Sequence, residues 1–373
     1  MAEMTMKNYI FRKGAAKKIP VSGTFELTPR CNLNCKMCYV HLADSELNHF
    51  GQELTAPQWI SLGEQAVRNG MVYLLLTGGE PLLCRDFCEI YTALSKMGLM
   101  ITVNTNGTLV SEKVAACFQK YRPEKVNITL YGMSDSTYAR LCGVPGGFRN
   151  AVRGIKRLKQ EGIRVNLNTT FTKLNIADME DLVSFAKEEQ LPIRMSSFIF
   201  PQIRNLHETE PINLSPEETG IAAAHFDELT LESSQIEKRK AFIRNCITNT
   251  TPVSPSEESR MSSCMAGRGA FWISWDGKMY PCGMLPDFCQ DVRNMTVSEA
   301  WTATTLEVQR IRLPRECTEC NYQRICPNCA AVSQSINRKT DIVPSDMCLR
   351  TRAYVDAFLR IRTKDAGNPI EKP

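Results

Sequence analysis

The 373-residue chain lacks any apolar run of the 18 or more residues that a membrane-spanning helix needs, and its longest candidate, around Val72–Leu76, is only strand-sized. Nor does its start, MAEMTMKNYIFRKGAAKKIP, combine an apolar core with a small-residue cleavage site, so it does not read as an export signal. The expectation is a cytoplasmic protein without a membrane partner. Internal repeats and low-complexity tracts are missing too. Concentrated positive charge is also absent: 45 Lys and Arg stand against 40 Asp and Glu, the excess of +5 is scattered, and Lys17-Lys18 is no groove, so nucleic acid is not expected as a partner. What the chain has in excess is cysteine. Sixteen cysteines in a reducing compartment are not expected to form a disulfide framework, and their clustering points to metal. Hydrophobic content of 43% and charged content of 23% are ordinary for a globular chain that fills one large core or two modest ones.

From residue 21 to 200 short apolar strands alternate with amphipathic helices. Strands are expected at Gly23–Leu27, Val72–Thr77, Met100–Asn104, Val126–Leu130, Val165–Thr169 and Ile193–Phe198. Thr55 with Gln58 and Asn175 with Asp178 are spaced as reciprocal helix caps, and Gly70, Gly98 and Gly162 sit where helices should stop. Six such units imply an α/β fold: a partial (β/α)6 TIM-like barrel, open on one side, with its chemistry at the C-terminal strand ends. Residues 1–20 read as an N-terminal extension and 201–256 as a helical connecting region that starts at Ser215, Pro216 and Glu218. Residues 257–362 read as a small cysteine-rich α+β domain with a hairpin around Asp276-Gly277 and a closing helix over Asp346–Ile361, and 363–373 as a tail.

Just after the first strand comes Cys31-x3-Cys35-x2-Cys38. Three closely spaced thiolates suit a four-iron cube held at three corners, whose fourth iron stays open to a small molecule. Zinc is the competing reading. This motif resembles the signature of the radical S-adenosylmethionine (SAM) superfamily, with Met37 where the family commonly has an aromatic residue and Tyr39 after the last cysteine. The resemblance implies one SAM-binding [4Fe-4S] cluster, reductive SAM cleavage to a 5'-deoxyadenosyl radical, and a reducing partner such as flavodoxin or ferredoxin. It also makes Thr77-Gly78-Gly79-Glu80-Pro81 the binder of SAM's amino group, the glycines permitting close approach of a polar ligand. Asn104 and Asn106 could meet the ribose or cap their own turn. Thr129 and Asn168, near later strand ends, are further candidate SAM contacts. Cys84, Cys88, Cys117 and Cys142 read as buried thiols.

The C-terminal array of Cys264, Cys282, Cys317, Cys320, Cys326, Cys329 and Cys348 resembles a SPASM extension, which implies two auxiliary four-iron clusters. Carried over, Cys317, Cys320, Cys326 and Cys348 hold the outer cluster, and Cys264, Cys282 and Cys329 the inner one, with Cys246 or Cys289 as candidates for a fourth inner ligand or a hydrogen donor. A zinc ribbon on Cys317, Cys320, Cys326 and Cys329 is the alternative. Clusters held by thiolates would also cancel much of the formal positive charge. The expected function is hydrogen abstraction from a ribosomally made peptide or protein side chain, with auxiliary clusters accepting an electron as a crosslink, thioether or double bond forms. No catalytic acid or base can be named. About twenty residues before the first strand are too few for a leader-binding domain, so a separate leader-binding protein or the open barrel face would supply recognition. Alternatives are a sulfatase-maturing enzyme (Gly283 follows Cys282 where such enzymes commonly place an acidic residue), a haem-precursor or small-molecule modifier, a peptide epimerase, or a non-enzymatic electron carrier.

Overall fold

The computed structural model describes residues 5–40, 42, 46–47, 50–196, 198–201, 212–248 and 264–363. Six parallel strands appear where the apolar runs lie: β1 (Ser22–Glu26), β2 (Tyr73–Thr77), β3 (Met100–Thr105), β4 (Lys125–Thr129), β5 (Val165–Thr170) and β6 (Ile193–Ser196). They pair in sequence order, each with the next. The sheet then continues past β1 into β7 (Ala270–Ile273), which pairs with β1 in parallel, and on through antiparallel β8 (Lys278–Tyr280) and β9 (Gln290–Asp291). The expected hairpin at Asp276-Gly277 is therefore present, but it extends the barrel sheet and is not confined to a separate domain. Gly23 makes the junction tight, since a Cβ there would stand 2.5 Å from Met71 Sδ and 2.8 Å from Phe271 Cζ.

Helices cover the sheet because their buried faces repeat at helical spacing. α1 (Met6–Lys17) lies within the expected N-terminal extension and packs on the starts of strands, with Phe11 and Tyr73 ring centroids 5.1 Å apart and Lys7 Nζ 2.7 Å from Glu124. α2 (Ala56–Arg68), α3 (Phe87–Lys96), α4 (Glu112–Lys120), α5 (Asp135–Cys142), α6 (Gly147–Gln160) and α7 (Met179–Glu188) alternate with the strands. The Thr55–Gln58 capping box forms. The Asn175–Asp178 pair does not: the Asn175 side chain accepts from Thr172 N and donates to Tyr131 O and Thr170 O, while Asp178 accepts from Met133 N, so both residues tie the ends of β4 and β5 together. One core, including Phe25, Trp59, Leu76, Tyr91, Phe118, Ile128 and Leu167, runs on into Phe271, Met279 and Trp301.

Of the expected connecting region, the described residues form α8 (Pro216–Thr230), started by the Ser215–Glu218 capping box, and α9 (Ser233–Thr248). Beyond the hairpin follow α10 (Val297–Val308), α11 (Arg315–Thr318), α12 (Ala330–Asn337) and α13 (Ser345–Arg360), the expected closing helix. α8 and α13 lie so close at Gly220 that a Cβ there would meet Arg350 O at 2.3 Å. Among the described residues no helix is long and apolar enough to cross a membrane.

Candidate active site

The site starts where β1 and β2 end. Gly79 N donates to Thr28 O at 2.7 Å and Glu80 N to Arg30 O at 2.8 Å, so the two loops lie edge to edge just before Cys31. A Cβ on Gly78 would sit 2.5 Å from Thr28 O, and one on Gly79 2.4 Å from Arg30 O. The close approach that these glycines permit is thus to the backbone leading into the cysteine loop, where the sequence suggested a polar ligand. From the other side the loop is held by α5, whose last carbonyls accept from it: Asn34 N to Cys142 O at 2.9 Å and Lys36 N to Leu141 O at 3.0 Å. Cys142 is fully buried, as expected, and its thiol is a hydrogen-bond partner of the Cys35 thiol.

Glu80 is fully buried. Its carboxylate accepts from Thr105 Oγ1 at 2.7 Å, Asn106 N at 2.7 Å and Leu82 N at 3.0 Å, and burial, opposed by these donors, pushes its pKa up to about 7. The carboxylate therefore ties the end of β2 to the end of β3. The Asn106 side chain is also occupied: its Oδ1 accepts from Thr108 N at 2.9 Å, closing its own turn, and its Nδ2 donates to Asn32 Oδ1 at 2.9 Å and reaches Cys31 Sγ at 3.7 Å. Asn104 Oδ1 accepts from Asn127 Nδ2 at 2.8 Å.

These loops enclose a cavity of about 570 Å³ at the C-terminal strand ends. Cys31, Cys35, Met37, Cys38, Thr77, Gly78, Gly79, Asn104, Asn106, Thr129 and Asn168 all line it, and Thr129 and Asn168 are register partners across β4 and β5. Glu80 and Pro81 lie behind its wall. The opposite wall was not foreseen: Arg194 and Ser196 from β6, Phe198 and Phe200 after it, and Trp272 and Met284 from the C-terminal region. Only the position of β6, with its short alternating run, hinted at the first of these. Tyr39 packs toward Phe200, with ring centroids 6.5 Å apart.

Cys282 lines this same cavity. A second cavity of about 520 Å³ gathers Cys264, Cys317, Cys320, Cys326, Cys329 and Cys348. The cysteines divide by mutual electrostatics. Burial, and then Cys264 and Cys329, push the Cys282 thiol up to about 12, whereas burial and then Cys348, Cys326 and Cys320 push Cys317 up to about 11. Cys246, buried on α9, and Cys289, exposed near Lys278, line neither cavity. Among the described residues no three His, Cys, Asp or Glu side chains converge enough to share one metal ion.

Residues 25–186 match the Radical SAM superfamily. These residues form a radical SAM domain. It is 25% identical over 320 residues to the AdoMet-dependent heme synthase of Oleidesulfovibrio alaskensis, covering 82% of this chain and 81% of that protein. It is 23% identical to the PqqA peptide cyclase of Gluconobacter oxydans, covering 77% and 78%. In fold it resembles the crystal structure of Streptococcus suis SuiB bound to precursor peptide SuiA, with TM-score 0.66 at 18% identity over 87% of this chain and 76% of that one.

A radical SAM enzyme generates a 5'-deoxyadenosyl radical from SAM with an electron supplied by its iron-sulfur cluster. The donors present fit such a group. Cys31 Sγ accepts from Leu33 N, Cys264 Sγ from Ala266 N and Cys282 Sγ from Met284 N, each at 3.4 Å, so amides two residues on are already aimed at sulfurs that bear charge as thiolates. Burial and then the charges of Glu80, Cys35 and Cys38, opposed by the Leu33 amide, raise Cys31 to about 12. Three such thiols ionise together only beside a cation. Among the described residues no carboxylate lines the cavity that Cys31, Cys35 and Cys38 line.

Proposed function

We propose that this radical SAM enzyme abstracts hydrogen from a side chain of a ribosomally made peptide or protein and that its C-terminal cysteines hold two auxiliary [4Fe-4S] clusters, one of which accepts the electron released as the product closes. The SAM-binding cluster is assigned to Cys31, Cys35 and Cys38, the inner auxiliary cluster to Cys264, Cys282 and Cys329, and the outer one to Cys317, Cys320, Cys326 and Cys348. The observation that carries this reading is Cys282, which faces the cavity that Cys31, Cys35 and Cys38 also line. A substrate radical formed there would lie beside an electron acceptor, as oxidative crosslinking, thioether formation or dehydrogenation requires. Likeness to a peptide cyclase supports the substrate class, as does the peptide-bound SuiB in fold alone. A low-potential flavodoxin or ferredoxin would supply the first electron, and a separate protein could present the leader segment.

A haem precursor is the second reading, favoured by likeness to heme synthases over most of both chains. One experiment separates the two. Reduced, iron-loaded enzyme is given SAM with a short-peptide library or with iron coproporphyrin, and products are read by mass spectrometry. Loss of two hydrogens from a peptide is the expected result; loss of carboxyl groups from the porphyrin alone would replace the peptide reading, and solvent deuterium in a peptide would indicate epimerisation. Absence of 5'-deoxyadenosine under strong reductant would overturn the enzymatic reading.

A further inference from the structure

Behind the β6 wall of the SAM-side cavity lies a smaller one of about 200 Å³, and Met195, Ser196, Phe198 and Ile199 line both. The Arg350 side chain, from α13, lines the smaller cavity while only 7% exposed, and its Nε–H has no acceptor among the described residues. A buried guanidinium N–H without an acceptor is costly. Asp227 on α8 contributes its field but is already engaged by Arg239 at 3.2 Å and by Tyr354 Oη at 2.8 Å. The other titratable groups facing Arg350 are Cys326, which the proposed assignment gives to the outer cluster, Tyr354 and, at the exposed rim, Asp346.

We propose that Arg350 and this cavity form a subsite for a carboxylate of the substrate, whose reacting part occupies the adjoining SAM-side cavity. The inference rests on the proposed reading that the larger cavity holds substrate. A guanidinium fork matches the planar geometry of a carboxylate, and the remaining walls, including Phe171, Leu214 and Met347, suit an apolar stem. One cation opposed by Asp346 at the rim favours a single negative charge over a phosphate dianion. A peptide carboxylate and a porphyrin propionate share this chemistry.

The test is ligand-observed saturation-transfer NMR on iron-loaded enzyme with SAM, using hexanoate and hexanamide. Hexanoate should bind roughly tenfold or more tightly, because a charge-assisted hydrogen bond is lost in the amide. Arg350→Gln should abolish the difference and Arg350→Lys should keep part of it. Thr219→Met narrows the cavity without touching the guanidinium and should weaken hexanoate similarly, which decides the matter if Arg350→Gln loses iron or fails to fold. A Glu-containing pentapeptide against its Gln counterpart, and a free-acid porphyrin against its methyl ester, then identify the source. Equal binding of hexanoate and hexanamide, or hexanoate binding untouched by both Arg350→Gln and Thr219→Met, would overturn the subsite. Release of 5'-deoxyadenosine is measured in parallel, so that loss of the subsite and loss of the radical reading are told apart.

Discussion

Glu80 carries its carboxyl in a space with no exposure to water, bonded to the ends of two strands. Its pKa of about 7 in the folded chain exceeds the unfolded value of 4.5, so the folded state holds this proton more tightly. The resulting stability is complete below about pH 4.5 and is lost as pH rises through about 7. In the metal-free protein, urea unfolding should show wild type losing roughly 3 kcal/mol more than Glu80→Gln between pH 4.5 and 8; parallel profiles would mean that the carboxyl titrates normally. Gly79→Ala drives a methyl onto Arg30 O. It should lower stability by about 2–4 kcal/mol and reduce iron incorporation, read by unfolding and iron analysis. Which residues surround the cavity was largely legible in the sequence, because short spacings of thiols and glycines follow strand ends. What each side chain holds was not: Glu80 accepts from Thr105 Oγ1 and Asn106 N, 25 and 26 residues away, and Asn106 donates to Asn32 Oδ1, 74 residues away, and no local pattern encodes these pairings.

The elements behave similarly. All six barrel strands lie within about two residues of expectation, since runs such as Tyr73–Thr77 are apolar on both faces and parallel sheets bury both. α1 was read only as an extension because its contacts are few and long-range, namely Phe11 on Tyr73 and Lys7 with Glu124. α5 ends at Gly143, which has φ +69 and directs the chain away so that the last two carbonyls of the helix receive the cysteine loop. Gly143→Ala has room for its methyl, 3.4 Å from Asn34, so only the left-handed backbone is penalised; thermal or urea unfolding should report a loss of about 1–2 kcal/mol. A larger loss would show that the cysteine loop itself had moved.

Across the whole molecule, one of the seven C-terminal cysteines, Cys282, lines the cavity that Cys31, Cys35 and Cys38 line, while the other six line a second one. On the proposed assignment, Cys282→Ser and Cys317→Ser should each drop iron from about twelve to roughly eight per chain while 5'-deoxyadenosine release continues, and product formation should fail most completely with Cys282→Ser. Cys35→Ala should abolish release itself. Iron analysis with quantified 5'-deoxyadenosine checks both, and unchanged iron in Cys317→Ser would remove the outer cluster. The cysteine-rich C-terminal region was readable as a change in composition, but not the strand that joins it to the barrel sheet, because pairing between β1 and β7 joins residues far apart in the chain.

That pairing has a consequence for biosynthesis. While the chain is still emerging from the ribosome, β1 has β2 on one side and nothing on the other until residue 273 is out, so its free amides and carbonyls form a sticky border for roughly ten to fifty seconds at ordinary elongation speeds. A truncated product that stops before β7 would keep that border permanently, and should be recovered as inclusion bodies instead of a working half-enzyme.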